Sequence, residues 1–119
     1  MITFPKMDPA KKAKWIEALR SGKFKQCRTR LKRDDGTGAS HCCLGVLAEI
    51  NDYPIRLGQG FLENGFAKEV FNAADRGEAE YVQSTLSKLN DGCHEDETSQ
   101  ENTQPQSFVE IANWIEKNL

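Results

Sequence analysis

The apolar residues of this chain never run far enough to cross a bilayer, which takes roughly 20 in succession. Its opening, Met1-Ile2-Thr3-Phe4-Pro5-Lys6, lacks the pattern of a secretory leader, so a cytoplasmic address and no membrane partner are expected. The cysteines, Cys27, Cys42, Cys43 and Cys93, show neither the spacing of a disulfide framework nor paired zinc knuckles. Neighbouring Cys42 and Cys43 could bridge only through a strained ring, so reduced thiols are expected, with no metal and no cofactor. Aromatic residues are scarce at 8%, and the net charge is −2. Nucleic-acid surfaces combine a basic balance with interleaved aromatics, so nucleic acid ranks low among partners. No carboxylate motif separates a catalytic acid and base from ordinary surface charge.

What is present fits one ordinary globular domain, residues 1–119, with 38% hydrophobic and 29% charged residues around a single core. The charge is unevenly distributed. Residues 1–33 hold eleven Lys/Arg against Asp8 and Glu17, so the first third is +9 and the remainder −11. Such asymmetry points to an anionic partner for the first third, or to electrostatic closure of one half upon the other.

Asp8-Pro9 marks a helix start, because Asp caps free amides and Pro at the first helical position loses no needed donor. Trp15, Ile16 and Leu19 then share a face until Ser21-Gly22 ends the helix. From Phe24 to Arg33 the period becomes two, with Cys27, Thr29 and Leu31 on one side and Arg28, Arg30 and Lys32 on the other, which predicts an amphipathic strand. The turn Asp34-Asp35-Gly36-Thr37-Gly38 and a return through Ala39-Ser40-His41 make it a hairpin near residues 24–41. Cys43, Leu44, Val46, Leu47 and Ile50 predict an enclosed central helix, with Gly45 allowing close backbone approach and Asn51-Asp52 ending it. Residues 53–65 could hold one short strand or none. Helices are predicted from Phe66 to Arg76-Gly77 and through Val82, Thr85, Leu86 and Leu89, the latter stopping at Asn90-Asp91. Residues 91–106 carry five acids and no Lys or Arg, and read as a solvated acidic loop. Ser107-Phe108-Val109-Glu110 forms a capping box before a final amphipathic helix. The fold class is therefore α+β, helix-rich, with four to five helices and one hairpin.

Four blocks resemble a family of small tailed-phage proteins: Trp15-x3-Leu19-Arg20-Ser21-Gly22-Lys23-Phe24-x-Gln26, Cys42-Cys43-Leu44-Gly45-Val46-Leu47, Leu86-x2-Leu89-Asn90-Asp91, and Ser107-Phe108-x2-Ile111-Ala112-x2-Ile115-Glu116. The resemblance implies a phage context, hence the host cytoplasm, and a shared fold. The stretch after Asn90-Asp91 is longer here than the family's short turn.

The leading functional expectation is non-enzymatic binding of a small anionic nucleotide by Arg28, Arg30 and Lys32 as phosphate donors, with Arg20, Lys23 and Lys25 as helpers. With the phage resemblance, this suggests sequestration of a host anti-phage signal. The alternative is an inhibitor or regulator that binds a host protein through the acidic loop or final helix; a homo-oligomer could complete either site. A cysteine-dependent enzyme ranks below both. A thiol at the helix start could be activated, with His41 or His94 as base, but burial of Cys42 and Cys43 for packing is the simpler expectation.

Overall fold

The computed structural model describes residues 4–34, 36, 38–56, 58–91 and 106–119. Among them five helices and three short strands occur, in the order α1 (Pro9–Arg20), β1 (Lys25–Gln26), β2 (Lys32–Asp34), β3 (Ala39–His41), α2 (Cys43–Ile50), α3 (Asn64–Val70), α4 (Arg76–Asp91) and α5 (Phe108–Asn118). The fold is a small α+β domain, as the residue pattern predicts.

Helix α1 starts where Asp8 accepts from the Lys11 amide, with Pro9 in its first turn, and buries Trp15, Ile16 and Leu19. Helix α5 carries the expected capping box, Ser107 and Glu110 satisfying each other's backbone amides, and buries Phe108, Ile111, Ala112 and Ile115. The Met7 amide donates to the Leu119 carbonyl at 3.0 Å and ties the two ends together. Helix α2 packs against α1, and six of its residues, Cys43 to Ala48, are buried. The Trp15 indole donates to the Cys43 carbonyl at 2.9 Å and fixes α1 on α2.

Gly45 has a specific task. A Cβ there would lie 2.7 Å from the Leu31 carbonyl carbon, so the helix presses directly on the backbone of the preceding segment. Leu31 is fully buried, with its amide donating to the Gln59 carbonyl at 2.9 Å and its carbonyl accepting from the Cys42 amide at 3.2 Å.

Several local expectations require correction. The alternating stretch 24–33 is not one strand: β1 pairs parallel with β3, β2 pairs antiparallel with β3, and the sheet order is β1-β3-β2. Only β2 and β3 form the expected hairpin, and residues 27–31 arch across the end of the central strand. Alternation alone cannot reveal such an arch, because Cys27 and Leu31 are buried either way. Arg76-Gly77 opens α4 rather than ending α3, which ends at Val70, with Asn72 in a left-handed conformation (φ +56°) just beyond it. Asp75 and Glu78 cap the new start, the Glu78 amide donating to Asp75 at 2.8 Å and the Ala74 amide to Glu78 at 2.9 Å. Residues 92–105 of the expected acidic loop lie outside the described residues, as do Cys93 and His94. The Gln106 amide, just beyond them, donates to the Leu89 carbonyl at 2.8 Å.

Candidate functional site

The thiols at the head of α2 are packing groups. Cys42 caps the helix, its sulfur accepting from the Gly45 amide at 3.4 Å, yet burial pushes its pKa up to about 12 against that favourable contact. Cys43 is fully buried and its thiol is raised well above the ordinary value, chiefly by desolvation. Neither is a thiolate at neutral pH, which removes the helix-terminal activation that a nucleophile would need. Among the described residues, no group of three His, Cys, Asp or Glu is arranged to hold a metal ion.

His41 is 6% exposed and lies edge-on to Phe24 at a centroid distance of 5.4 Å. Neither ring nitrogen has a hydrogen-bond partner among the described residues, the nearest carboxylate oxygen being Glu49 Oε1, 3.5 Å from Nε2. Burial lowers its pKa, and Lys32 adds to this, while Glu49 pulls the other way.

The six basic residues singled out by the sequence do not form one row. Arg20 is engaged between α1 and α5, by Glu116 at 3.0 Å and by Asn113 at 2.8 Å. Lys23 sits at the end of α1 beside Glu17 and Ser21. Lys32 reaches Glu49 at 3.4 Å. Lys25, Arg28 and Arg30 are exposed and make no ion pair or side-chain hydrogen bond among the described residues.

The register explains this division. Lys25 is opposite Ser40, which is opposite Arg33, so these three share one sheet face; Gln26, His41 and Lys32 share the other. The second face is turned toward the helices, where Gln26 meets α4 and Lys32 meets α2. On the outer face Lys25 and Arg33 stand two strand spacings apart, about 10 Å, with Ser40 between them. Arg33 thus shares the outer face with Lys25, while Lys32 falls on the opposite face, where its side chain is still exposed.

Arg33 also reaches into the arch. Its guanidinium donates to Thr29 Oγ1 at 2.8 Å, so three arginines meet around Thr29: two as chain neighbours and one through its side chain. Thr29 itself has φ +68°, a left-handed conformation that is costly for a β-branched residue. It is held from several sides. Its amide donates to Asp91 Oδ1 at 3.0 Å and its hydroxyl to the Arg28 carbonyl at 2.6 Å, while Cys27 and Leu31 anchor the arch at either end.

The support beneath this turn is Asn90, which is fully buried inside α4. Its oxygen accepts from Gln26 at 2.9 Å and from the Cys43 amide at 3.2 Å. Its nitrogen donates to the Cys27 carbonyl at 2.8 Å and to Asp91 at 2.9 Å. Asn90-Asp91 ends α4, as the residue pattern predicts, and also does more: Asn90 links α4, α2 and β1, and Asp91 fixes the arch. A left-handed cap does follow α2, but at Asp52, φ +55°, rather than at Asn51.

Arg28, Arg30 and Arg33 offer planar forks suited to bidentate contact with phosphate, and Lys25 adds a point charge on the adjoining face. No curated protein matches the chain, and no solved structure does. A family model described as a domain of unknown function, DUF8296, matches residues 7–54, the stretch that contains α1, the sheet, the arginine turn and α2.

Proposed function

We propose that the protein is a non-enzymatic binder of a small phosphate-bearing nucleotide, held at the Arg28-Thr29-Arg30 turn with Arg33 and Lys25. The observation that carries this reading is Thr29. A strained β-branched residue persists only where its surroundings enforce it, and such strain is concentrated at functional positions. Here the enforced turn displays two arginines that no described residue neutralises. Arg20, Lys23 and Lys32 leave the site, because other contacts or positions take them away from the turn. A compact ligand is favoured over a nucleic acid because, among the described residues, the proposed site is confined to one turn and one short sheet face.

The four sequence blocks support a phage context. In that setting the protein acts in the host cytoplasm and captures a nucleotide signal of anti-phage defence, a role reached by analogy from the resemblance. The test exposes purified protein and its Arg28→Ala/Arg30→Ala variant to a metabolite extract of infected cells, with retained molecules identified by mass spectrometry. Intact nucleotides retained by the parent and lost by the variant are expected. Equal retention by both, no retention, or chemically altered nucleotides would each overturn the proposal; capture of a host protein instead would favour the inhibitor alternative.

A further inference from the structure

We infer that Asp91 is the positioning residue of the arginine turn, acting on the ligand only through Thr29. This inference rests on the reading of the turn as an anion site. Asp91 is the last residue of α4, where the helix dipole disfavours a carboxylate and a cation would be the stabilising choice. Helix stability does not account for it.

What Asp91 contacts does. Its Oδ1 accepts from the Thr29 amide at 3.0 Å and from Asn90 at 2.9 Å, and its Oδ2 accepts from Ser87 at 3.4 Å. The first of these bonds crosses from α4 to the arch and falls on the residue whose φ is left-handed. The second comes from a side chain that is itself fully buried. Three locally unfavourable choices thus coincide: a β-branched residue in the left-handed region, a carboxylate at a helix C-terminus, and a polar side chain sealed in the core. Each is unfavourable alone; together they define one conformation of residues 28–30.

Asp91 is also a negative charge beneath an anion site, and this gives the inference a readout of opposite sign to simple electrostatics. If Asp91 acted only as a nearby charge, removing it would tighten anion binding. As a positioning residue, its removal loosens the turn and weakens binding.

The experiment measures inorganic pyrophosphate binding by calorimetry for the parent, Asp91→Ala, Asp91→Asn, Thr29→Gly and the Asp91→Ala/Thr29→Gly double variant. Asp91→Ala should weaken binding about tenfold, the scale of one strained residue released. Asp91→Asn keeps an acceptor oxygen for the Thr29 amide and should bind at least as tightly as the parent. Thr29→Gly loses the hydroxyl that accepts from Arg33 and should itself bind more weakly, so it is the reference for the double variant: because glycine takes positive φ without a Cβ penalty, removing Asp91 from Thr29→Gly should cost much less than the tenfold it costs the parent. Tighter binding by Asp91→Ala, or the same tenfold loss in both backgrounds, would overturn the inference.

Thr29 Cα and Cβ chemical shifts, read by NMR in the same proteins, separate the two claims. Failure of the parent to bind pyrophosphate would refute the ligand reading. Movement of the Thr29 shifts to extended-backbone values in Asp91→Ala would still uphold the positioning role, and unchanged shifts would refute it. If Asp91→Ala does not fold, the Asp91→Asn and Asp91→Ser variants decide: serine, too short to reach the amide, should weaken binding where asparagine does not, and equal affinity of the two would overturn the inference.

Discussion

Replacing Gly45 with alanine should destabilise the protein by about 3 kcal/mol, although alanine is the better helix former by about 1 kcal/mol. The new Cβ would meet the Leu31 carbonyl carbon at 2.7 Å and its Cα at 3.2 Å, and these are backbone atoms, not the free end of a side chain. Relief requires Leu31 to move. Its amide bond to Gln59 and its carbonyl bond from Cys42 resist that movement, and each is worth about 1 kcal/mol. Overpacking against a rigid neighbour costs about 1–3 kcal/mol or more, so the clash exceeds the gain in propensity. Urea denaturation followed by far-UV circular dichroism should show a lower midpoint, and thermal melting a fall of about 10 °C. Gly65→Ala in α3 is the internal control. Nothing lies within 4 Å of its added Cβ, so it should be neutral or stabilising by up to about 1 kcal/mol. A Gly45→Ala protein as stable as the parent would refute the close contact between α2 and the arch.

Three further outcomes are expected. Asn90→Ala should cost about 2–4 kcal/mol in denaturant unfolding, because it strands the Cys27 carbonyl and the Cys43 amide in the core; a loss under 1 kcal/mol would contradict the bridging role. Iodoacetamide near pH 7 should modify Cys42 and Cys43 far more slowly in the native protein than in urea, as peptide mapping would reveal, whereas rapid native alkylation would restore the nucleophile hypothesis. His41, with its native pKa below the unfolded value near 6.5, binds its proton more readily when unfolded. Its contribution to stability is therefore complete above about pH 6.5 and lost as pH falls through the native pKa. Unfolding measured from pH 7.5 down to 5.5 should show a steeper decline for the parent than for His41→Leu; parallel curves would contradict this.

Features set by neighbouring residues were legible in the sequence. The Asp8-Pro9 start of α1, the Ser107–Glu110 capping box and the tight approach at Gly45 all follow from local chemistry. The arginine turn was only half legible, since Arg28 and Arg30 stand out by charge while the fold around them depends on α4, some sixty residues later. A period of two describes both a strand and an arch pinned at Cys27 and Leu31, so it does not show that the sheet turns Lys32 toward the helices and Arg33 outward. Asn90 and Asp91 were hidden for a related reason. Their pairing after Leu89 has the appearance of a helix stop, and only tertiary contacts distinguish a cap from a buried bridge.

The central claim, that the arginine turn binds a phosphate-bearing ligand, is tested most directly by a nitrogen-15 NMR titration of the intact chain with pyrophosphate and then with a nucleoside diphosphate. Saturable shifts are expected, concentrated at Arg28, Thr29, Arg30 and Arg33, extending to Lys25 and Ser40 on the adjoining face and absent in Arg28→Ala/Arg30→Ala. Saturable shifts centred elsewhere, or none at either ligand's solubility limit, would contradict it.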